Sequence, residues 1–243
     1  MRALTTSYKL RVLFDEDINE DDVRKIISIE KDFIRFSDYN FKQFEFPKEF
    51  LGPYQGLTKA IHPGNEKYYL TEYFEKIRNE KEIISILTGK PLLHETIDLE
   101  GYIFPQLCWG YAGPHRMGNK KIEAGGVAIV STAGLGNEYI GRSAGILLHE
   151  LGELFILIDS HCNDESCFMY APSVSYLFTL QNFEKFYPVL DKSKYYCERC
   201  RERMKFIIKK REESEILNKK EIENTFEEIE QSIYLMSDKI ITG

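Results

Sequence analysis

The sequence predicts a mixed α/β layer fold built around one main domain. Its predicted elements open with a strand and a helix, strand signals dominate the middle, and an apolar helix follows them, which is an order typical of layered α/β folds. The chain has 243 residues, 43% of them hydrophobic and 29% charged, as is usual for a globular protein. At this length we expect one sizeable core that buries roughly 70–75% of the surface of the unfolded chain. We place the main domain at residues 1–201 and a helical extension at 202–243.

The first part of the chain alternates between strand and helix signals. Lys9–Phe14 is predicted as the first strand, and a cap-rich acidic segment leads into a helix that ends near Phe33. Phe41–Phe46 alternates like a short strand and is followed by a turn-rich segment. Glu66–Leu87 then predicts a second long helix, ended by a Thr-Gly-Lys-Pro turn.

The next part is predicted as three strands and a buried helix. The strands are Leu92–Asp98, Tyr102–Tyr111 and Gly126–Thr132, separated by glycine and proline. Tyr139–Ile158 predicts a helix that is apolar on nearly all sides. A helix with that pattern is expected to be buried.

A narrow polar stripe on this helix is the first candidate for chemistry. It contains His149, Glu150 and Glu153, and the i,i+4 spacing of His149 and Glu153 places them on one face, close enough to hold one ion. The string is the zinc-hydrolase pattern H-E-x-x-H with glutamate in place of the second histidine. Burial of an unpaired carboxylate is costly, so Glu153 needs a metal or another partner. Both a metal site and a buried histidine–glutamate pair without an ion agree with the pattern.

Four cysteines form the second candidate. Cys162-x4-Cys167 and Cys197-x2-Cys200 are thiol pairs closed by short loops, as in tetrahedral zinc sites. A four-thiolate site has no open position, so its zinc would be structural. The alternative is a set of small buried hydrophobic side chains.

Charge and hydropathy exclude several classes of function. The formal net charge is −7 and the sequence pI about 5.4. Because no segment carries a one-sided run of Lys and Arg, we expect neither a nucleic-acid surface nor a surface for anionic membranes. No apolar stretch reaches eighteen residues and the first residues lack a signal-peptide pattern, so a cytoplasmic location is expected.

Together these motifs resemble those of the archaemetzincins, zinc metallopeptidases with one catalytic and one four-cysteine structural zinc. The resemblance spans about residues 5 to 205 and is carried by His149-Glu150-Leu151-Gly152, His161-Cys162-x4-Cys167-x-Met169 and Cys197-x2-Cys200. It implies a zincin-like (metzincin) fold, in which a twisted mixed sheet lies over an active-site helix. It also implies that Glu150 is the general base, that Met169 is the Met-turn residue beneath the catalytic metal, and that Gly126–Thr132 is the edge strand that pairs with bound peptide.

The sequence departs from the family pattern at the active site. The second histidine is Glu153, Ile156 replaces a glycine, and the interval to the first structural cysteine is two residues longer. Two residues are therefore candidates for the third metal ligand. His161 would give the two-histidine, one-carboxylate set of thermolysin-type peptidases. Asp159 would place two carboxylates on the ion and favour harder metals over zinc.

The C-terminal extension has an apolar seam typical of a packed helix. Within 222–240, the apolar residues alternate steps of four and three: Ile222, Phe226, Ile229, Ile233, Met236 and Ile240. So short a helix needs a partner, which is the body of the same chain, a second copy or another protein.

Two hypotheses for the function follow. In the first, the protein is a zinc-dependent peptidase in which His149, Glu153 and His161 hold a catalytic zinc and the substrates are peptides or proteins. In the second, it is a catalytically inactive scaffold that keeps only the structural zinc, with its edge strand and C-terminal helix as interaction surfaces.

Overall fold

A computed structural model of the chain describes residues 4–5, 9–15, 17–35, 38–43, 69–70, 83–97, 103–113, 126–156, 162–164, 166–170 and 196–212, and parts of 220–231. The strands are β1 Leu4–Thr5, β2 Lys9–Phe14, β3 Ile34–Arg35, β4 Asp38–Gln43, β5 Tyr69–Leu70, β6 Ile83–Thr88, β7 Leu92–Ile97, β8 Ile103–Cys108, β9 Gly110–Gly113 and β10 Gly126–Ser131. The long helices are α1 Glu20–Phe33, α2 Tyr139–Ile156 and α3 Glu198–Glu212, and a short 3-10 turn, Gly136–Glu138, precedes α2.

A five-stranded mixed sheet organises the fold, with strand order β4-β2-β6-β10-β9. The pairs β2–β4, β2–β6 and β6–β10 are parallel, whereas β9 is antiparallel to β10, with Tyr111 opposite Ile129. Among the described strands, β7 lies between β5 and β8 in a three-stranded sheet, and β1 pairs with β3. The two central strands β6 and β10 are buried along their whole length. The mixed sheet and its helices confirm the predicted α/β layers.

The main core lies between one face of this sheet and the helices. Alternate strand residues such as Val12, Leu87 and Val130 face α1 and α2, because side chains along a strand point to opposite faces in turn. The intervening residues Ile84 and Ile129 belong to a smaller cluster on the other face. The helix α2, which carries the polar stripe, therefore has its apolar sides packed within the main core.

Helix α1 begins where the sequence places its cap. Asn19 Oδ1 accepts a hydrogen bond from the backbone N–H of Asp21 at 2.8 Å, and the acidic residues of the first turn suit the positive end of the helix. Lys9–Phe14 forms the predicted first strand and α1 ends at Phe33, as predicted.

The predicted helix over Glu66–Leu87 is wrong where the structure describes it, and residues 66–68 and 71–82 lie outside the described residues. Ile83–Thr88 is a central strand, and Tyr69–Leu70 is also extended. A strand buried on both faces carries a continuous apolar run, and such a run cannot be distinguished from a buried helix by its periodicity. The strand predicted at Phe41–Phe46 lies at Asp38–Gln43.

The predicted edge strand is also wrong. Gly126–Ser131 pairs with β6 on one side and with β9 on the other, so both of its edges are occupied. Tyr102–Tyr111, predicted as one strand, is divided at Trp109 into β8 and β9. The outer strand beside α2 is therefore β9, Gly110–Gly113, which within the described sheet pairs only with β10.

The C-terminal region is described in part. Helix α3 includes residues 201 and 202, between which the boundary of the main domain and the extension was predicted. Residues 224–225, 227–229 and 231 are also helical. Ile229, the one residue of the predicted seam within the described part, packs against the main core. Among the described residues, no helix combines the length and apolarity needed to cross a membrane.

Candidate functional site

His149 is held on α2 by a hydrogen bond from outside the helix. Its Nδ1 lies 2.6 Å from the carbonyl oxygen of Phe168, and its Nε2 lies 3.3 Å from Glu153 Oε1. A carbonyl can only accept, so Nδ1 carries a proton and donates it to Phe168. This contact fixes the orientation of the ring and directs Nε2 towards Glu153, the arrangement in which protein histidines commonly bind metals.

The pair of His149 and Glu153 fits an ion as well as it fits direct contact. Two ligands at about 2.0–2.2 Å from one tetrahedral zinc lie roughly 3.4 Å apart. The observed separation of Nε2 and Oε1 is 3.3 Å. The side chains are 8% exposed for His149 and 20% exposed for Glu153, so the imidazole is enclosed and the carboxylate reaches solvent.

Glu150 lies on the side of α2 that faces the outer strand β9. The contact is so close that a Cβ atom on Gly110 would overlap Glu150 Oε1 and would come within 2.6 Å of Ile146 Cγ2. Glycine at 110 therefore lets the strand backbone approach the carboxyl group. Glu150 is buried, and the strand that it contacts, β9, is the last of the described five-stranded sheet.

Burial and mutual contact shift the pKa values of this stripe. Burial and the charge of Glu153 raise the pKa of Glu150 well above its usual range, against the opposite effect of His149. Burial alone would lower the pKa of His149, but the hydrogen bond and charge of Glu153, with smaller help from Glu150 and Phe168, raise it to about 9. Shifts of this kind are typical of functional sites but also occur in structural ion pairs.

Met169 packs directly beneath the polar stripe. A Cβ atom on Gly152 would overlap Met169 Sδ and would lie 3.1 Å from Met204 Cε and 3.2 Å from Tyr196 Cε1. The glycine in the middle of the motif thus makes room for a buried methionine floor. The assignment of Met169 as the Met-turn residue stays a prediction.

The four predicted cysteines come together. Their Sγ atoms all lie within 4.8 Å of one another, and the Cys162 and Cys197 sulfurs are 3.5 Å apart. Thiolates around a tetrahedral zinc, bound at about 2.3 Å, are separated by roughly 3.8 Å. Cys162, Cys167 and Cys200 are buried and Cys197 is half-buried, so the cluster is largely shielded from water.

Backbone donors and arginines make the cluster suitable for thiolates. The Cys167 sulfur accepts hydrogen bonds from the N–H groups of Met169 at 3.4 Å and Cys197 at 3.3 Å, and the Cys162 sulfur from that of Asp164 at 3.4 Å. Hydrogen bonds among the four thiols lower the pKa values of Cys162 and Cys197 and raise those of Cys167 and Cys200, so the protons of the cluster are shared unequally. Burial lowers the pKa of the Arg199 guanidinium, but its hydrogen bond to Cys162 and the charges of the nearby cysteines together outweigh this and raise it overall. The four cysteines can therefore hold a metal ion. If they were only small buried hydrophobic side chains, their sulfur atoms would not need to converge on one point.

The structure brings together part of the predicted catalytic set. His149, Glu150 and Glu153 share the stripe on α2. Both candidates for the third ligand, Asp159 and His161, lie outside the described residues. Within the described part of the chain, the four cysteines are the one group of three or more metal-ligating side chains whose ligand atoms meet.

Three supporting groups were missed by the sequence reasoning. The Phe168 carbonyl holds His149, Tyr196 Oη donates to the Leu148 carbonyl at 2.5 Å, and Gly110 contacts Glu150. A backbone carbonyl leaves no mark on its residue type. Tyr196 and Gly110 stand beside residues that the sequence analysis singled out, but their contacts with α2 join parts of the chain that are distant in sequence.

The fold is a mixed α/β fold with one apolar helix that carries the polar stripe. The structure of archaemetzincin from Archaeoglobus fulgidus complexed with malonate matches it with a TM-score of 0.53 and 14% identity, over 80% of this chain and 99% of that one. A zinc-dependent peptidase from Methanocorpusculum labreanum matches with a TM-score of 0.43 and 18% identity, over 80% and 99%. The first likeness establishes the fold, which is that of archaemetzincin. No protein-family model and no curated protein matches the sequence.

Proposed function

We propose that this protein is an archaemetzincin-like zinc metallopeptidase that hydrolyses peptide bonds. In this proposal His149 and Glu153 hold a catalytic zinc or another divalent ion, with His161 as third ligand and Asp159 as the alternative. Glu150 is the general base. A second zinc is structural and is held by the four cysteines.

One observation carries the proposal: His149 donates from Nδ1 to Phe168 and presents Nε2 to Glu153 on a buried helix. A surface ion pair would need no such support. The fold supports the same interpretation, because the structural match extends over 99% of the archaemetzincin chain. The four-cysteine cluster agrees with a zinc-binding scaffold.

The arrangement divides the chemistry among the residues of the stripe. A divalent ion at His149 and Glu153 would polarise a peptide carbonyl and lower the pKa of a water molecule. Glu150 would accept a proton from that water and pass it to the leaving amine, and burial, which raises its pKa, would help it to hold that proton. A peptide added alongside β9 would bring its scissile bond past Glu150.

A catalytically inactive scaffold is the second candidate. It is favoured by the direct contact of His149 with Glu153, which satisfies both side chains without an ion. It would keep the four-cysteine zinc and bind partners through β9 and the 222–240 helix. The two candidates differ in the number of metal ions and in turnover.

Metal stoichiometry is the first test. Protein purified without a histidine tag is analysed for metals beside a His149→Ala variant. Two metals per chain, falling to one in the variant, are expected for the peptidase. One zinc in both proteins would overturn the peptidase proposal and favour the scaffold.

Turnover is the second test, with a peptide library as substrate. We expect cleavage by the metal-loaded protein and its loss in Glu150→Gln, which keeps the size of the side chain but cannot accept the proton. Glu153→His restores the family's ligand and is expected to raise zinc affinity. Cleavage that is equal in Glu150→Gln and the unaltered protein would come from a contaminant and would remove the support for Glu150.

Peptide binding can be measured separately from cleavage. Trp109, the single tryptophan, immediately precedes β9 and donates its indole N–H to the Ala133 carbonyl at 3.1 Å. Its fluorescence should therefore respond when an uncleavable peptide pairs with the Gly110–Gly113 edge. Binding without turnover, in a protein with one zinc, would identify the scaffold.

A further inference from the structure

The four-cysteine cluster and His149 are joined through two short segments. Phe168, whose carbonyl accepts the hydrogen bond from His149 at 2.6 Å, lies in the loop 162–170 immediately after Cys167. The loop is fixed internally, since the N–H of Cys162 donates to the Met169 carbonyl at 2.8 Å. The carbonyl that orients His149 therefore lies one residue from a sulfur of the cluster.

The second cysteine pair reaches the same turn of α2. Tyr196, which immediately precedes Cys197, is buried and donates its hydroxyl to the carbonyl of Leu148 at 2.5 Å. Leu148 immediately precedes His149. The cluster thus holds the backbone of α2 through one cysteine pair and the imidazole through the other.

The two segments also contact each other. The rings of Phe168 and Tyr196 meet edge to face, with centroids 5.1 Å apart, a geometry that stabilises aromatic pairs. Their neighbours Cys167 and Cys197 are linked by the N–H···S hydrogen bond of 3.3 Å. A change in the spacing of the sulfurs would consequently move both supports of His149.

We propose that the four-cysteine site controls the metal affinity of the His149 site, with Tyr196 and the Phe168 carbonyl as the positioning groups that connect them. This inference rests on the proposed function for the second metal, although the connection itself concerns residues of this chain alone. Coupling of two sites is reciprocal, so metal at His149 should in turn tighten zinc on the cysteines by the same factor. Loss or exchange of the metal on the cysteines would then change the metal affinity at His149, and with it the activity of the proposed peptidase site.

Tyr196→Phe is the test variant, because it removes the hydroxyl and keeps the ring against Phe168. Tyr139→Phe is the matched control. Tyr139 also lies on α2 and also donates its hydroxyl, but to Asp22 of α1 at the opposite end of the helix. Both variants are studied as full chains with zinc on the cysteines, and thermal melts show whether each is folded.

The first readout needs no second metal. The Nδ1–H of His149 gives a ring N–H signal by NMR, assigned by its absence in His149→Ala. We expect its exchange with water to be about tenfold faster in Tyr196→Phe and unchanged in Tyr139→Phe. Equal exchange in both variants, whether unchanged or accelerated, would overturn the proposal.

The second readout changes the cluster without emptying it. Cadmium, a larger ion that thiolates also bind, replaces the zinc, and the His149 ring signal is expected to shift. The indole N–H of Trp109 serves as the internal control and should stay in place. A His149 signal that does not move while cadmium occupies the cysteines would overturn the coupling.

The third readout is the affinity of the second site, titrated with cobalt(II) and followed by its visible absorption. Tyr196→Phe should weaken it by about tenfold, as is usual for loss of a group that supports a metal-binding histidine, and Tyr139→Phe by less than twofold. If cobalt does not bind the unaltered protein, the proposed function fails, and the ring exchange and cadmium shift still decide this inference. If it binds equally to all three proteins, the inference fails while the proposed function stands.

Discussion

The two glycines of α2 allow a sharp test of how the helix is packed. Gly145 and Gly152 both lie inside the helix, so replacement by alanine should favour the helix at both positions by about 0.5–1 kcal/mol. They differ in their surroundings. A Cβ atom on Gly145 meets no atom within 4 Å, whereas one on Gly152 overlaps Met169 Sδ and comes within 3.2 Å of Tyr196 Cε1.

The difference between the two variants isolates the packing. Because the gain in helix propensity is common to both, it cancels when their free energies of unfolding are subtracted. Insertion of a methyl group into a filled core costs about 1–3 kcal/mol. We therefore expect Gly145→Ala to be more stable than the unaltered protein and Gly152→Ala to be less stable than Gly145→Ala by about 1–3 kcal/mol.

Thermal unfolding of the zinc-loaded protein measures this difference. For a chain of this size, each kcal/mol corresponds to about 2–4 °C in Tm, so the two variants should differ by roughly 2–12 °C. Metal content is checked in both, so that loss of zinc is not mistaken for loss of packing. A rise in Tm for Gly152→Ala equal to that for Gly145→Ala would refute the methionine floor beneath the stripe.

Three further predictions concern the four-cysteine cluster, the outer strand β9 and the hydrogen bond between Tyr139 of α2 and Asp22 of α1. Cys200→Ser should lose one zinc equivalent and melt at lower temperature, whereas Cys108→Ser, outside the cluster, should keep its zinc; equal zinc in both would contradict the four-cysteine site. Gly110→Ala should lose about 1–3 kcal/mol of stability, measured by urea unfolding, because its Cβ overlaps Glu150; no loss would show that β9 does not contact the helix there. Burial and the hydrogen bond to Asp22 raise the pKa of Tyr139 to about 12, so this tyrosine contributes stability below pH 10 that is lost as the pH rises towards 12. Tyr139→Phe should flatten that alkaline decline of Tm, and an unchanged decline would contradict the contact.

The elements that the sequence predicted correctly are those whose signal is local. The strand at Lys9–Phe14 and the helix that follows it carry an apolar pattern and a cap within a few residues. The cysteine pairs were also predictable, because each pair is closed by a short loop and only their meeting is long-range.

The errors fall where sheet pairing decides the outcome. Ile83–Thr88 is rich in β-branched residues, which favour a strand, and it pairs with β2 on one side and β10 on the other. Gly126–Ser131 was expected at the edge and is interior, since Gly110–Gly113 pairs with its outer side. Neither neighbour is adjacent in sequence, so no local pattern reports it.

Several contacts that position the polar stripe of α2 do not involve Glu153. The Phe168 carbonyl and Tyr196 hold the turn at Leu148 and His149, and Met169 fills the space at Gly152; none of these contacts involves Glu153. The Glu153 side chain is 20% exposed against 8% for His149, so a carboxylate there keeps part of its hydration and costs less to bury. Exchange of Glu153 for histidine is therefore expected to leave these supports in place. For this reason Glu153→His, which changes a proposed metal ligand and leaves these supporting contacts in place, tests the proposed metal site more directly than any variant of the supporting groups.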